Sequence, residues 1–203
     1  LSFARAHLGL GNFSCGGSWL SPNSVKLMQQ QSFLLPSVSE RFDWHWGLGW
    51  SLRSCKKTGM SMVEHSGITL GQNAILRLFP DQNIAFAVLL NGIKPGALDA
   101  IAADLTRELI QFDCDEPEPL PVKCSTSKLA CYTGSYESFG SHYQVALDEE
   151  AESATLLLQE VDKVGVVSTR ELTLTPLGNH VFMPTTMQGL RLHNVVFMFD
   201  KNS

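Results

Sequence analysis

Glu64-His65-Ser66-Gly67-Ile68-Thr69-Leu70-Gly71 sets an imidazole, a hydroxyl and a bare glycine in succession inside an apolar run. Read as a strand, its period of two places His65 and Gly67 on one face and Ser66 and Ile68 on the other. An imidazole donates from one ring nitrogen and accepts at the other near neutral pH, which suits a proton network. Gly67 has no Cβ, so a substrate backbone or a second element can approach beside the ring. If the strand lies at a sheet edge, its free N–H groups can bind an extended substrate or polarise its carbonyl. These parts suit acyl transfer, yet no convincing nucleophile accompanies them. Two Ser-x-x-Lys strings occur, Ser54-Cys55-Lys56-Lys57 and Ser125-Thr126-Ser127-Lys128. The first falls in a turn between strands and the second in a linker, and neither opens an apolar helix. There is no Gly-x-Ser-x-Gly elbow.

Other polar groups carry less. His7, His45, His142, His180 and His193 show no metal-ligand spacing. His45, between Trp44 and Trp46, fits an aromatic strand surface. Asp148-Glu149-Glu150 with Glu152 reads as a solvated turn. Gly47 and Gly49 form no phosphate loop, because no helix start follows them. No cofactor and no metal is implied.

The elements that must hold His65 are legible around it. Leu1, Ala4 and Leu8 end a helix, and Gly9, Gly11, Gly16 and Gly17 mark a loop. Ser21 and Pro22 open a short helix expected to reach about Gln31. Residues 44–53 alternate like one strand, and Met60 to Leu70 reads as another. Ala74 to Phe79 and Ile84 to Leu90 form a hairpin across Pro80-Asp81-Gln82-Asn83. The run 84–90 is continuously apolar, so it is expected to be buried on both faces. Leu98, Ile101, Ala102, Leu105, Leu109 and Phe112 recur at helical spacing, so a helix near 97–112 should cover one face. An acidic, Pro-rich linker spans 113–128. Beyond it come short alternating strands at Cys131–Tyr136, Tyr143–Leu147, Thr155–Gln159, Glu171–Thr175, Val181–Met183 and Leu192–Phe199. The expected fold class is α+β: an antiparallel sheet with covering helices over 1–112, then a small antiparallel β-barrel or meander over 129–203.

Composition narrows the partners. The chain has 203 residues, 44% hydrophobic and 17% charged, which is ample for a buried core. Its net charge is -5 with no basic cluster, which argues against nucleic acid. No apolar run approaches the roughly 18–20 residues of a membrane span. Five cysteines (Cys15, Cys55, Cys114, Cys124, Cys131) form no CxxC. Cys114, Cys124 and Cys131 could supply one disulfide in an oxidising compartment, or stay free thiols in a reducing one.

The order of these pieces resembles the C-terminal part of the serine β-lactamase and penicillin-binding-protein superfamily, in its class C, D-alanyl-D-alanine carboxypeptidase and D-aminopeptidase branch. Gly16-Gly17, Leu20-Ser21-Pro22 and Val25, Leu27 and Met28 are similar to a family segment ending in a short helix. Trp46-Gly47-Leu48-Gly49-Trp50 resembles its Tyr-Gly-Leu-Gly-Trp strand. His65-Ser66-Gly67 resembles the third signature, Lys-Thr-Gly or His-x-Gly. Phe79-Pro80-Asp81 through Val88-Leu89-Leu90-Asn91-Gly92 resembles its terminal hairpin. Tyr132-Thr133-Gly134-Ser135-Tyr136 resembles the start of a β-rich accessory domain, lipocalin-like over 129–203.

The resemblance implies that His65 lines the site opposite the nucleophile, that Ser66 and Gly67 complete the signature, and that the Ile68 N–H is an oxyanion donor. The family's Ser-x-x-Lys nucleophile would lie on an upstream segment of the same protein, absent from this chain. Its Tyr-x-Asn is missing too; Tyr136-Glu137-Ser138 is nearest and sits in the wrong domain. The implied partners are a small-molecule or peptide substrate and that upstream segment, and a periplasmic or secreted location is favoured. On its own the chain is expected to be inactive. The alternative is a non-catalytic binding or interaction module that uses the β-barrel.

Overall fold

Alternating apolar residues broken by short turns lay residues 33–91 into one antiparallel sheet, six strands in chain order. Helices α1 (Ser2–His7) and α2 (Pro22–Met28) precede the strands. These are β1 (Phe33–Leu35), β2 (Phe42–Trp46), β3 (Ser51–Cys55), β4 (Ser61–Thr69), β5 (Gln72–Phe79) and β6 (Ile84–Asn91), and α3 (Ala97–Ile110) follows. This computed structural model describes residues 2–10, 20–92, 94, 96–138, 141–148, 155–161, 171–186 and 195–198. Leu1, Gly11, Cys15, Gly16, Gly17, Glu149, Glu150, Glu152, His193 and both ends of the expected strand Leu192–Phe199 lie outside them.

The helix start is as its residues dictate. The Ser21 hydroxyl accepts the Ser24 N–H at 3.1 Å, and Pro22 takes the first helical position. The helix stops at Met28, short of Gln31. Residues 44–53 are two strands, not one. Gly47-Leu48-Gly49-Trp50 turns the chain: the Gly47 N–H donates to the Trp50 carbonyl at 2.8 Å, and Gly49 takes φ +75°. A Cβ on Gly47 would lie 2.4 Å from the Met28 carbonyl oxygen, so the glycine admits the end of α2.

The two faces of the sheet are covered unequally. On one, Phe42, Met62, Ile75, Phe79, Phe86 and Val88 pack against Leu98 and Ala102 of α3. On the other, Trp50, Leu52, Val63 and Leu78 pack against Ala4 of α1. His7 is buried there between Phe3 and Trp50, with ring centroids at 4.6 and 4.9 Å. Burial pushes its imidazole below the usual histidine pKa. Strand β6 is not buried on both faces as its composition suggested. Phe86 and Val88 lie under α3, while Ala87 is exposed and Leu89 is 80% exposed.

The chain divides into two units, residues 1–35 with 39–117, and 36–38 with 118–203. In the first, Asp113 and Asp115 lie beside Arg41, whose guanidinium donates to both carbonyls. The second holds α4 (Thr126–Leu129) and six antiparallel strands paired in chain order: β7 (Gly134–Ser138), β8 (Ser141–Leu147), β9 (Leu156–Val161), β10 (Glu171–Gly178), β11 (Val181–Thr186) and β12 (Val195–Val196). This is the meander form of the expectation. Its core joins Leu129, Val145, Leu156, Leu174, Phe182 and Phe197. Asn179 and His180, at φ 47° and 61°, make the two-residue β10–β11 turn that matches strand twist. Cys55, Cys114, Cys124 and Cys131 are free thiols. Among the described residues no helix is long and apolar enough to cross a membrane.

Candidate active site

Strand β4 is paired on both flanks at Val63 and Glu64 and on one flank beyond them. Strand β3 pairs with it only from Ser61 to Glu64, where the register ends at Ser51 opposite Glu64. The turn at Gly47–Trp50 takes the chain away at that point. His65, Ser66, Gly67, Ile68 and Thr69 continue past it, paired with β5 on one side. Among the described residues no strand pairs with them on the other.

The ladder fixes which backbone groups meet that open side. The Cys55 N–H donates to the Met60 carbonyl at 2.9 Å across the β3–β4 turn. In an antiparallel ladder bonded positions alternate, so Met62 and Glu64 turn their amides toward β3. Continuing the alternation, Ser66 and Ile68 present their N–H and C=O to the open edge, and His65, Gly67 and Thr69 bond to β5. The tight β4–β5 turn, with Thr69 paired to Gln72, gives the same phase.

The side chains split as expected. His65 and Gly67 follow Val63, on the face partly covered by α1. Ser66 and Ile68 follow Met62 and Glu64. All four are exposed, Ile68 by 69%. A Cβ placed on Gly67 would meet nothing within 4 Å. Gly67, Ile68, Ala74 and Leu89 help line an open hollow of about 500 Å³ at this end of the sheet. The His65 ring lies 6.2 Å, centroid to centroid, from the Trp46 indole.

A buried charge cluster directly precedes the histidine, and the sequence reading missed it. Glu64 accepts from Arg77 Nε at 2.7 Å, and Arg53 Nε lies 3.4 Å from its other oxygen. Arg53 Nε has no aligned acceptor, so that contact is an ion pair without a hydrogen bond. Arg77 Nη1 also donates to Thr106 Oγ1 at 2.9 Å and to the Ala102 carbonyl at 3.3 Å, both on α3. Arg53 stacks over Trp44 at 4.8 Å. The carboxylate thus ties β3, β4, β5 and α3 together next to the start of the free edge.

The two Ser-x-x-Lys serines sit in different settings. Ser54 is on β3, opposite Ser61, and not in the turn expected for it, which begins only at Lys56. Ser125 caps a helix of only four residues, Thr126–Leu129, and so opens no apolar helix; its hydroxyl accepts the Lys128 N–H at 3.4 Å.

The beta-lactamase family model matches residues 5–111. The chain belongs to the beta-lactamase family. The match takes in the whole six-stranded sheet and α3. A curated relative, penicillin-binding protein 4 of Amycolatopsis lactamdurans, is 34% identical over 147 residues, covering 68% of this chain and 36% of the relative. Among solved structures, SurE with D-Leu has a TM-score of 0.64 at 18% identity, over 97% of this chain and 43% of that one. A second SurE structure gives 0.58 at 18% identity, over 97% and 42%. These likenesses show the α+β fold of the beta-lactamase family. This chain spans well under half the length of the relatives it matches.

Proposed function

We propose that this chain supplies one wall of a serine-hydrolase active site that transfers or hydrolyses acyl groups of peptides, β-lactams or esters. What supports this reading is the edge of β4 that has no partner strand among the described residues, to which the ladder's alternation turns the Ile68 N–H, near His65 and the hollow at Gly67. A serine hydroxyl on a segment encoded before Leu1 attacks the substrate carbonyl. The new O–C bond leaves an oxyanion, which the Ile68 N–H and the serine's own N–H receive. His65 takes part in moving the serine proton toward the leaving group as its bond to carbon breaks. Water then cleaves the acyl-enzyme by the reverse sequence. Ser66 and Gly67 complete the signature, and the bare Gly67 leaves the space beside the strand clear for an extended substrate. Residues 129–203 form an accessory domain after the 113–128 linker.

The test uses the protein as its complete gene encodes it. A fluorescent penicillin or fluorophosphonate should label one serine outside residues 1–203, and the 203-residue chain alone should not label. His65→Ala should slow acylation about 10²-fold with the thermal midpoint kept. Labelling at Ser54 or Ser125 would overturn the missing nucleophile. No labelling at all would favour a binding module.

A further inference from the structure

Trp46 stands beside this edge with no part in the chemistry above. It ends β2, is 41% exposed, and its ring lies tilted at 60° to that of His65. Trp44, two residues earlier, is occupied by the Arg53 guanidinium. Phe33, the register partner of Trp46 in β1, and Leu48 in the following turn are each about half exposed.

The sheet also sets the direction of a bound chain. Every neighbouring pair of strands in it is antiparallel. A substrate added in the same sense has its N-terminal side toward Thr69 and its C-terminal side toward His65. With its carbonyl at the Ile68 N–H, the acyl part lies toward Thr69. The leaving group then lies toward His65 and Trp46.

We infer that Trp46 is a specificity-determining residue that selects an apolar, preferably aromatic, leaving group. This rests on the acyl-transfer reading. An indole face beside the leaving group buries apolar area and offers edge or stacking contacts to a ring.

The experiment measures kcat/KM of the complete-gene protein on two ester series. One joins butyrate to ethanol or 2-phenylethanol. The other joins ethanol to butyrate or 4-phenylbutyrate. Wild type should prefer the phenylethyl ester, and Trp46→Ala should cut that preference about tenfold. Trp46→Phe should keep most of it, and the acyl-side ratio should not move. Trp46→Leu replaces the alanine variant if that one fails to fold. An unchanged leaving-group ratio, or a change confined to the acyl series, overturns the inference. Failure of the underlying reading looks different: the wild type would turn over neither series and take no fluorophosphonate label.

Discussion

Glu64 carries the position of His65. Its carboxylate is buried between two guanidiniums and is, among the described residues, the acid that pairs with both. Removing it would leave Arg53 and Arg77 with uncompensated charge away from water. Glu64→Ala should therefore cost about 3–5 kcal/mol in urea unfolding of the first unit. A loss under about 1 kcal/mol would show the cluster to be solvated. The triad was not legible because Arg53, Glu64 and Arg77 are scattered through three runs whose alternation says nothing of register. Only the pairing of Arg53 with Met62 and of Glu64 with Arg77 brings them together. His65, Ser66, Gly67 and Ile68 were legible as residues, because a period of two sorts side chains without any partner strand.

At the scale of the element, β4 behaves as two strands end to end. At Val63 and Glu64 both flanks are paired; from His65 on, one has no partner strand among the described residues. The alternation of amides makes this testable with proline, which removes a single donor. Gly67→Pro deletes a bond to β5 and should cost about 1–3 kcal/mol. Ile68→Pro deletes only the outward N–H and should leave the urea midpoint close to wild type. Equal losses at both positions would mean that Ile68 is bonded within the ladder. The strand itself could be read from its sequence, but its open flank could not. That flank depends on where β3 stops, and Gly47-Leu48-Gly49 mimics strand alternation while forming a turn. Strand β6 was misjudged for a related reason. Its unbroken apolar run matches a strand buried on both faces, yet only the face under α3 is fully covered.

In the whole molecule, the exposed face of the first unit and the open edge adjoin. Gly67, Ala74 and Leu89 line the hollow on the side that α1 covers only in part. This is where a helix bearing the attacking serine would bring its hydroxyl within reach of the Ile68 amide. The chain's 36% share of its curated relative leaves ample length for such an element in a full-length homologue. Strands β4, β5 and β6 and the second meander were visible from turn residues and alternation, whereas β1 was not read and β2 with β3 was read as one strand; the nucleophile's position was not legible, because no serine among the described residues opens a long apolar helix. The decisive measurement is the acylation rate of the complete-gene protein carrying Ile68→Pro, taken with a fluorescent penicillin or a chromogenic ester. With the fold retained, the rate should fall about 10²–10³-fold, as when one oxyanion donor is removed. A folded Ile68→Pro protein that acylates at the wild-type rate would contradict the site.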